Sequence, residues 1–197
     1  MQKGLLLVVS GPSGCGKGTV LKEVMQQQDL YYSVSLTTRA PRPGEVDGVQ
    51  YHFVSKEQFE KMIARDEVLE HAEFCGNYYG TPRDAVEAMR NEGKNVILEI
   101  EVQGAQQVMQ KCPDAVSIFI APPSMTELEK RLRTEAEAVI QKRLATASGE
   151  LKDAPNYKYL VVNDQVETAA QEILTILAAE QIHQINKEEK VKEVLES

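Results

Sequence analysis

Leu5-Leu6-Leu7-Val8-Val9-Ser10-Gly11-Pro12-Ser13-Gly14-Cys15-Gly16-Lys17-Gly18-Thr19 is the stretch that decides the fold. Its first half is an apolar run, too short for a membrane span or a signal-peptide core, and reads as a strand buried on both faces. Its second half fits the phosphate-binding pattern G-x-x-x-x-G-K. Such a loop needs glycines because phosphate oxygens must be approached by bare backbone N–H groups. It needs the helix that follows because that helix's first amides and dipole favour an anion. Lys17 adds a mobile point charge. A glycine-rich turn between strand and helix can be purely structural, but here strand, glycines and lysine all fit. The position after the lysine is Gly18, where the pattern has Ser or Thr for magnesium. Thr19, or water beside Gly18, then has to replace that hydroxyl.

The rest of the chain repeats the rhythm. Leu5–Ser10, Asn95–Ile100 and Val116–Ala121 read as buried strands, with Leu160–Val162 as a fourth, and amphipathic stretches lie between them. This is the pattern of β-α-β units with a parallel sheet. Ser55-x-x-Gln58 and Ser124-x-x-Glu127 are capping boxes, and Thr81-Pro82 puts proline at a first helical position closed by Gly93. The last helix starts near Asp164 with Val166, Ala170, Ile173, Leu174 and Leu177 on one face, and Lys187–Ser197 reads as its solvated end. Residues 33–81, with a strand-like piece at Val49–Val54, and residues 127–150 interrupt the rhythm as candidate mobile insertions.

Composition narrows the function classes. In 197 residues, 22 basic and 30 acidic side chains leave a net charge of −8, which argues against a broad surface for nucleic-acid polymers or anionic membranes. Cys15, Cys75 and Cys112 are odd in number and lack C-x-x-C spacing. A disulfide scaffold or zinc site is therefore disfavoured and a reducing, cytoplasmic setting expected. His52, His71 and His183 are scattered and read as structural.

A second constellation is Ser33-Val34-Ser35-Leu36-Thr37-Thr38-Arg39-Ala40-Pro41-Arg42-Pro43-Gly44-Glu45, a proline-stiffened loop with two arginines three apart. Alone it reads as an exposed polar loop or a phosphate clamp. Taken with Tyr51-His52-Phe53, Glu70, Gly76-Asn77-Tyr78-Tyr79-Gly80-Thr81 and Ile120-Ala121-Pro122-Pro123-Ser124, it makes the chain resemble the guanylate kinases from about Gly4 to Asp164. The resemblance implies an α/β fold of the nucleoside monophosphate kinase type in one domain: a parallel sheet flanked by helices (1–32, 82–126, 151–197), a GMP-binding insertion (33–81) and an ATP lid (127–150).

It also implies ATP, GMP and Mg2+ as ligands, and assigns roles. Gly11 to Thr19 would hold ATP. Ser35, Arg39, Arg42, Tyr51 and Tyr79 would hold the GMP phosphate, and Glu70 and Thr81 would read the guanine edge. A carboxylate suits that edge because it accepts from both N1–H and the 2-amino group, donors that adenine lacks. Where the family often has aspartates this chain has Glu99 and Glu101, candidates for magnesium through water and for the guanine amino group. Asn163 matches a position beside the adenine. Arg131 and Arg143 match lid arginines which, with Lys17 and Arg39, would stabilise charge on the transferring group. The family pattern has a Gly-Arg-Gly-like turn before Thr-Glu, whereas Arg133 runs straight into Thr134. Either one lid arginine is lacking or a short turn is missing there. The rivals are a P-loop kinase for another small acceptor and a non-catalytic module of the same family that binds phosphopeptides.

Overall fold

The computed structural model describes residues 2–74, 76–133, 136–184 and 187–196; Cys75 and the Thr134-Glu135 junction lie outside the described residues. The chain opens with β1 (Leu6–Ser10), the glycine loop, α1 (Lys17–Gln27) and β2 (Tyr31–Tyr32). A separate small unit follows: β3 (Leu36–Thr37), β4 (His52–Phe53), α2 (Lys56–Ala64), β5 (Val68–Phe74) and β6 (Asn77–Pro82). Alternation resumes with α3 (Arg83–Asn91), β7 (Val96–Glu99), α4 (Val102–Lys111) and β8 (Val116–Ala121). Next come a helical pair, α5 (Met125–Leu132) and α6 (Glu137–Glu150), and a 3-10 turn at Leu151–Asn156. The chain ends with β9 (Tyr159–Val162), α7 (Val166–His183) and α8 (Lys187–Glu196).

Five strands form a parallel sheet in the order β2-β7-β1-β8-β9. The central strand β1 is covered on both faces. Leu5, Leu7 and Val9 pack with Val20 and Leu21 of α1 and Ile173 of α7. Leu6 and Val8 pack with Val86 of α3 and Val102 and Ala105 of α4. That is why the sequence there is a continuous apolar run and not an alternating one. Each such side chain contributes about 1.5–3 kcal/mol by burial, and together they fix where β1 ends and the glycine loop begins.

The second sheet, β4-β3-β6-β5, has antiparallel β3–β6 and β5–β6 pairs, a parallel β3–β4 pair and a small core of Leu36, Phe59 and Val68. It is fastened to the large sheet through α4. The Gln107 amide donates to the His71 carbonyl at 2.9 Å and accepts from the His71 N–H at 3.2 Å, as a neighbouring strand would. Lys111 Nζ donates to the Leu69 carbonyl at 2.8 Å.

Several sequence expectations shift in detail. Both bonds of the Ser55–Gln58 capping box are present. At Ser124 only the hydroxyl accepts, from the Glu127 N–H, because the Glu127 carboxylate turns to Lys130 and Arg131. Pro82 is the N-cap of α3 and not its first helical residue, since it still belongs to β6. Of Val49–Val54 only His52 and Phe53 form a strand. The last helix starts two residues later than expected, because the Asp164 N–H turns back to the Val162 carbonyl. The tail is a separate helix, α8, exposed from Lys190 to Glu196. No helix among the described residues is long and apolar enough to cross a membrane.

Arg90 is the largest fully buried side chain, 2% exposed. Its Nε donates to the Gly4 carbonyl at 3.0 Å and its Nη2 pairs with Asp114, so one guanidinium ties the end of α3 to the entry of β1. Arg90→Ala is expected to lower the unfolding free energy by about 2–4 kcal/mol, because it leaves a buried carbonyl without its donor and opens a cavity. Urea titration followed by circular dichroism measures this; a loss below about 0.5 kcal/mol would contradict it.

Candidate functional site

The glycine loop leaves β1 at the C-terminal edge of the parallel sheet, where open α/β sheets present ligand groups. Gly16 caps α1 with φ 91°, a left-handed conformation that a side chain would strain. Lys17 is 9% exposed, and its Nζ donates to the Gly11 carbonyl at 2.6 Å and the Pro12 carbonyl at 3.3 Å. The lysine is folded over its own loop, with carbonyl oxygens as partners. Thr19 is exposed on the first turn of α1. The Cys15 side chain is fully buried, and burial pushes its thiol above the ordinary range, so this residue offers the loop only its backbone.

The Cys15 carbonyl is a meeting point. Asn163 Nδ2 donates to it at 2.8 Å and Arg131 Nη1 at 3.2 Å. Arg131 Nη2 also donates to the Asn163 carbonyl at 2.9 Å, and Arg143 Nη2 to the Ser13 hydroxyl at 2.6 Å. Both arginines of the α5–α6 pair therefore lie on the glycine loop. Asn163 follows β9 and lies beneath the loop. It is 2% exposed, its amide nitrogen donates to the Cys15 carbonyl, and its Oδ1 is buried without a hydrogen-bond partner.

The second group lines the small sheet. Arg39 makes a two-pronged pair with Glu45 (Nη1 to Oε2 3.0 Å, Nη2 to Oε1 2.9 Å) and its guanidinium carbon stands 5.4 Å from the Tyr51 ring centre. Glu45 also accepts the Arg42 backbone N–H at 2.8 Å. Tyr51 and Tyr79 meet edge to face with ring centres 5.9 Å apart. Ser35 is half-buried on the same stretch, and the Arg42 side chain is exposed. A carboxylate thus occupies the fork of Arg39 as a phosphate would. The local signal for Glu45 in the sequence is its place three residues after Arg42, within reach of that residue's backbone N–H.

Glu70 is 5% exposed. Its Oε1 accepts from the buried Thr81 hydroxyl at 2.8 Å, and its Oε2 lies where a Cβ on Gly104 would come within 2.4 Å. Gly104 of α4 is therefore a position where only glycine fits. Burial raises the Glu70 carboxyl to about 7, opposed by the Thr81 hydrogen bond and by Lys111. Glu101 is exposed at the N-cap of α4. Glu99 is half-buried at the end of β7, and its Oε2 accepts from the Tyr32 hydroxyl at 3.1 Å, a partner the sequence did not announce.

Sequence comparison agrees with this two-part arrangement. Residues 3–180 match the family model described as guanylate kinase. A guanylate kinase from Desulfitobacterium hafniense (strain Y51) is 56% identical over 181 residues, which is 90% of each chain. One from Latilactobacillus sakei subsp. sakei (strain 23K) is 50% identical over 185 residues, 91% of each. The crystal structure of guanylate kinase from Anaplasma phagocytophilum superposes with a TM-score of 0.73 at 39% identity, over 91% of this chain and 87% of that one. A family model over residues 3–180 and relatives of 50–56% identity over most of the chain place it by descent: this chain belongs to the guanylate kinase family.

Proposed function

We propose that this chain carries out the ATP-dependent phosphorylation of GMP with the two groups of residues described above, one for each nucleotide. Gly11–Thr19 is the ATP phosphate loop, residues 127–150 are its lid and residues 33–81 bind GMP, within a single domain. An oxygen of the GMP phosphate bonds to the γ-phosphorus as the bond from that phosphorus to the bridging oxygen breaks, leaving ADP and GDP. No general base is needed, because the attacking oxygen is already ionised near neutral pH; positioning and charge neutralisation carry the reaction. Lys17 exchanges its loop carbonyls for phosphate oxygens, and Arg131 and Arg143 close over the same phosphates. Arg39 exchanges Glu45 for the GMP phosphate, joined by Ser35, Arg42, Tyr51 and Tyr79. Glu70 and Thr81 read the guanine edge, with Glu101 near its amino group. Asn163 supports the loop through the Cys15 carbonyl and borders the adenine.

Magnesium is our assignment for the divalent cation of this transfer. The oxygen donors Thr19 and Glu99 beside the loop suit an ion that keeps several waters and takes most of its ligands from substrate phosphates. Held through water by Thr19 and Glu99, the ion would neutralise charge on the ATP phosphates. Buried, unpaired Cys15 and Cys112 favour a reducing compartment, and we assign the protein to the cytoplasm.

The observation that carries this reading is Glu70, a carboxylate desolvated beside Gly104 with Thr81 as its donor. A phosphopeptide module or a kinase for another acceptor has no use for it, whereas guanine supplies two donors. Glu70→Gln is expected to lower kcat/KM for GMP by about 10²–10⁴ while ATP binding holds. The same change should stabilise the unliganded protein at pH 8. The Glu70 carboxyl is raised from 4.5 to about 7, so the folded state favours its neutral form. Stability is full below pH 4.5 and is lost as pH rises through 7, by up to about 3 kcal/mol. GMP affinity should run the other way, improving through pH 7 as the carboxylate forms. In the glutamine variant only the titration of the GMP phosphate, near pH 6, remains. Unfolding and GMP titrations at pH 6 and 8 test both signs, and GMP binding unchanged in the variant would end the assignment.

Lys17→Ala is expected to reduce turnover about 10²–10³-fold with the circular dichroism spectrum intact, because the lysine acts on charge that develops during transfer. Near-normal turnover would refute the loop assignment.

A further inference from the structure

Gly18 leaves open the space where a phosphate loop ordinarily carries a hydroxyl. A Cβ at position 18 would stand 3.6 and 3.7 Å from the two Glu99 oxygens, so this carboxylate faces the place of the absent group. Glu99 ends β7, paired with Val9 of β1 immediately before the loop. Its longer side chain spans a gap that an aspartate would leave one methylene wider. Gly18, Tyr32 and Glu99 share the wall of an open cleft on this side of α1 with Leu21, Lys22, Met25 and Gln26.

A glutamate with free rotamers would serve poorly, since ordering it costs conformational entropy when the ligand arrives. Here the ordering is done in advance. Tyr32 OH donates to Glu99 Oε2 at 3.1 Å, from β2, the strand next to β7 in the sheet. The Tyr32 ring packs against the apolar cluster beneath α1, so the donor is held at both ends.

We propose that Tyr32 is a positioning residue that fixes Glu99 in the place of the missing loop hydroxyl, where Glu99 receives through water the divalent cation accompanying ATP. This rests on the reading of Gly11–Thr19 as the ATP phosphate site. Tyr32 touches neither nucleotide; it acts through Glu99.

The test is the binding of an unreactive ATP analogue, without GMP, in the presence and absence of Mn2+, with bound Mn2+ followed by electron paramagnetic resonance. The quantity read is the gain in analogue affinity that the cation gives. Tyr32→Phe keeps the ring and removes only the hydroxyl. It is expected to cut that gain about three- to tenfold and leave cation-free affinity unchanged. Glu99→Ala should cut the gain about tenfold or more, and the double variant should be no worse than Glu99→Ala, because the two residues act as one unit. Gly18→Ser in the Glu99→Ala background should recover part of the gain. The proposal is overturned if Tyr32→Phe leaves the gain intact, if its loss adds to that of Glu99→Ala, if both affinities fall equally, or if Gly18→Ser recovers nothing. Should Lys17→Ala leave turnover near normal, the loop assignment itself falls, and the proposal with it.

Discussion

The backbone carbonyl of Cys15 is the atom on which the geometry of the glycine loop depends. It lies in the middle of the glycine loop, and three parts of the chain converge on it: the loop itself, Asn163 from the end of β9, and Arg131 from the last turn of α5. Gly16 must be glycine for a related reason, since a Cβ there would come within 2.5 Å of the Asn163 amide nitrogen. The loop is thus clamped from below by a buried amide and from above by a cation. Positive φ at Gly14 and Gly16 gives the loop its shape, and these two contacts hold it there. The same guanidinium holds the Asn163 carbonyl, so the lid helix, the last strand and the loop form one hydrogen-bonded unit.

Around that unit the cations find partners within the chain. Lys17 lies on two loop carbonyls and Arg39 on the Glu45 carboxylate. In the proposed reaction a phosphate has to displace these partners, which costs some ground-state affinity and keeps the groups from wandering. Glu70 is the opposite case. Its surroundings disfavour its own charge, and on the proposed reading a ligand with two convergent donors restores it. Discrimination at this carboxylate is then gained at a cost in the stability of the protein alone.

How much of this was legible depended on whether the signal was local. The apolar run Leu5–Val9 and the glycine pattern after it identified the central strand, the loop and the parallel sheet, because burial on both faces and bare backbone leave marks in consecutive residues. Leu160–Val162 was also readable as a strand from its apolar run, but it is no buried strand: β9 lies at the sheet edge, with Val161 buried and Leu160 and Val162 exposed. Ser55–Gln58 formed its capping box, while Ser124–Glu127 formed half of one, since two cations competed for the Glu127 carboxylate. What stayed hidden was long-range. Nothing near Gln107 says that its amide will act as an extra strand beside His71, and nothing near Tyr32 says that its hydroxyl will meet Glu99, 67 positions away. Asn163 was expected beside the adenine from resemblance alone. Its burial under Cys15 comes from the pairing of β9 with β8, which no pattern within β9 encodes.

The central claim is that a desolvated Glu70 selects the acceptor by its donors. The most direct measurement is a coupled assay of ADP release at saturating ATP with GMP, IMP and AMP as acceptors. IMP keeps the N1–H and lacks the 2-amino group; AMP lacks both. The account predicts GMP above IMP above AMP, with kcat/KM for AMP lower than for GMP by about 10⁴. Comparable turnover of AMP and GMP, or IMP ranking with AMP, would contradict it.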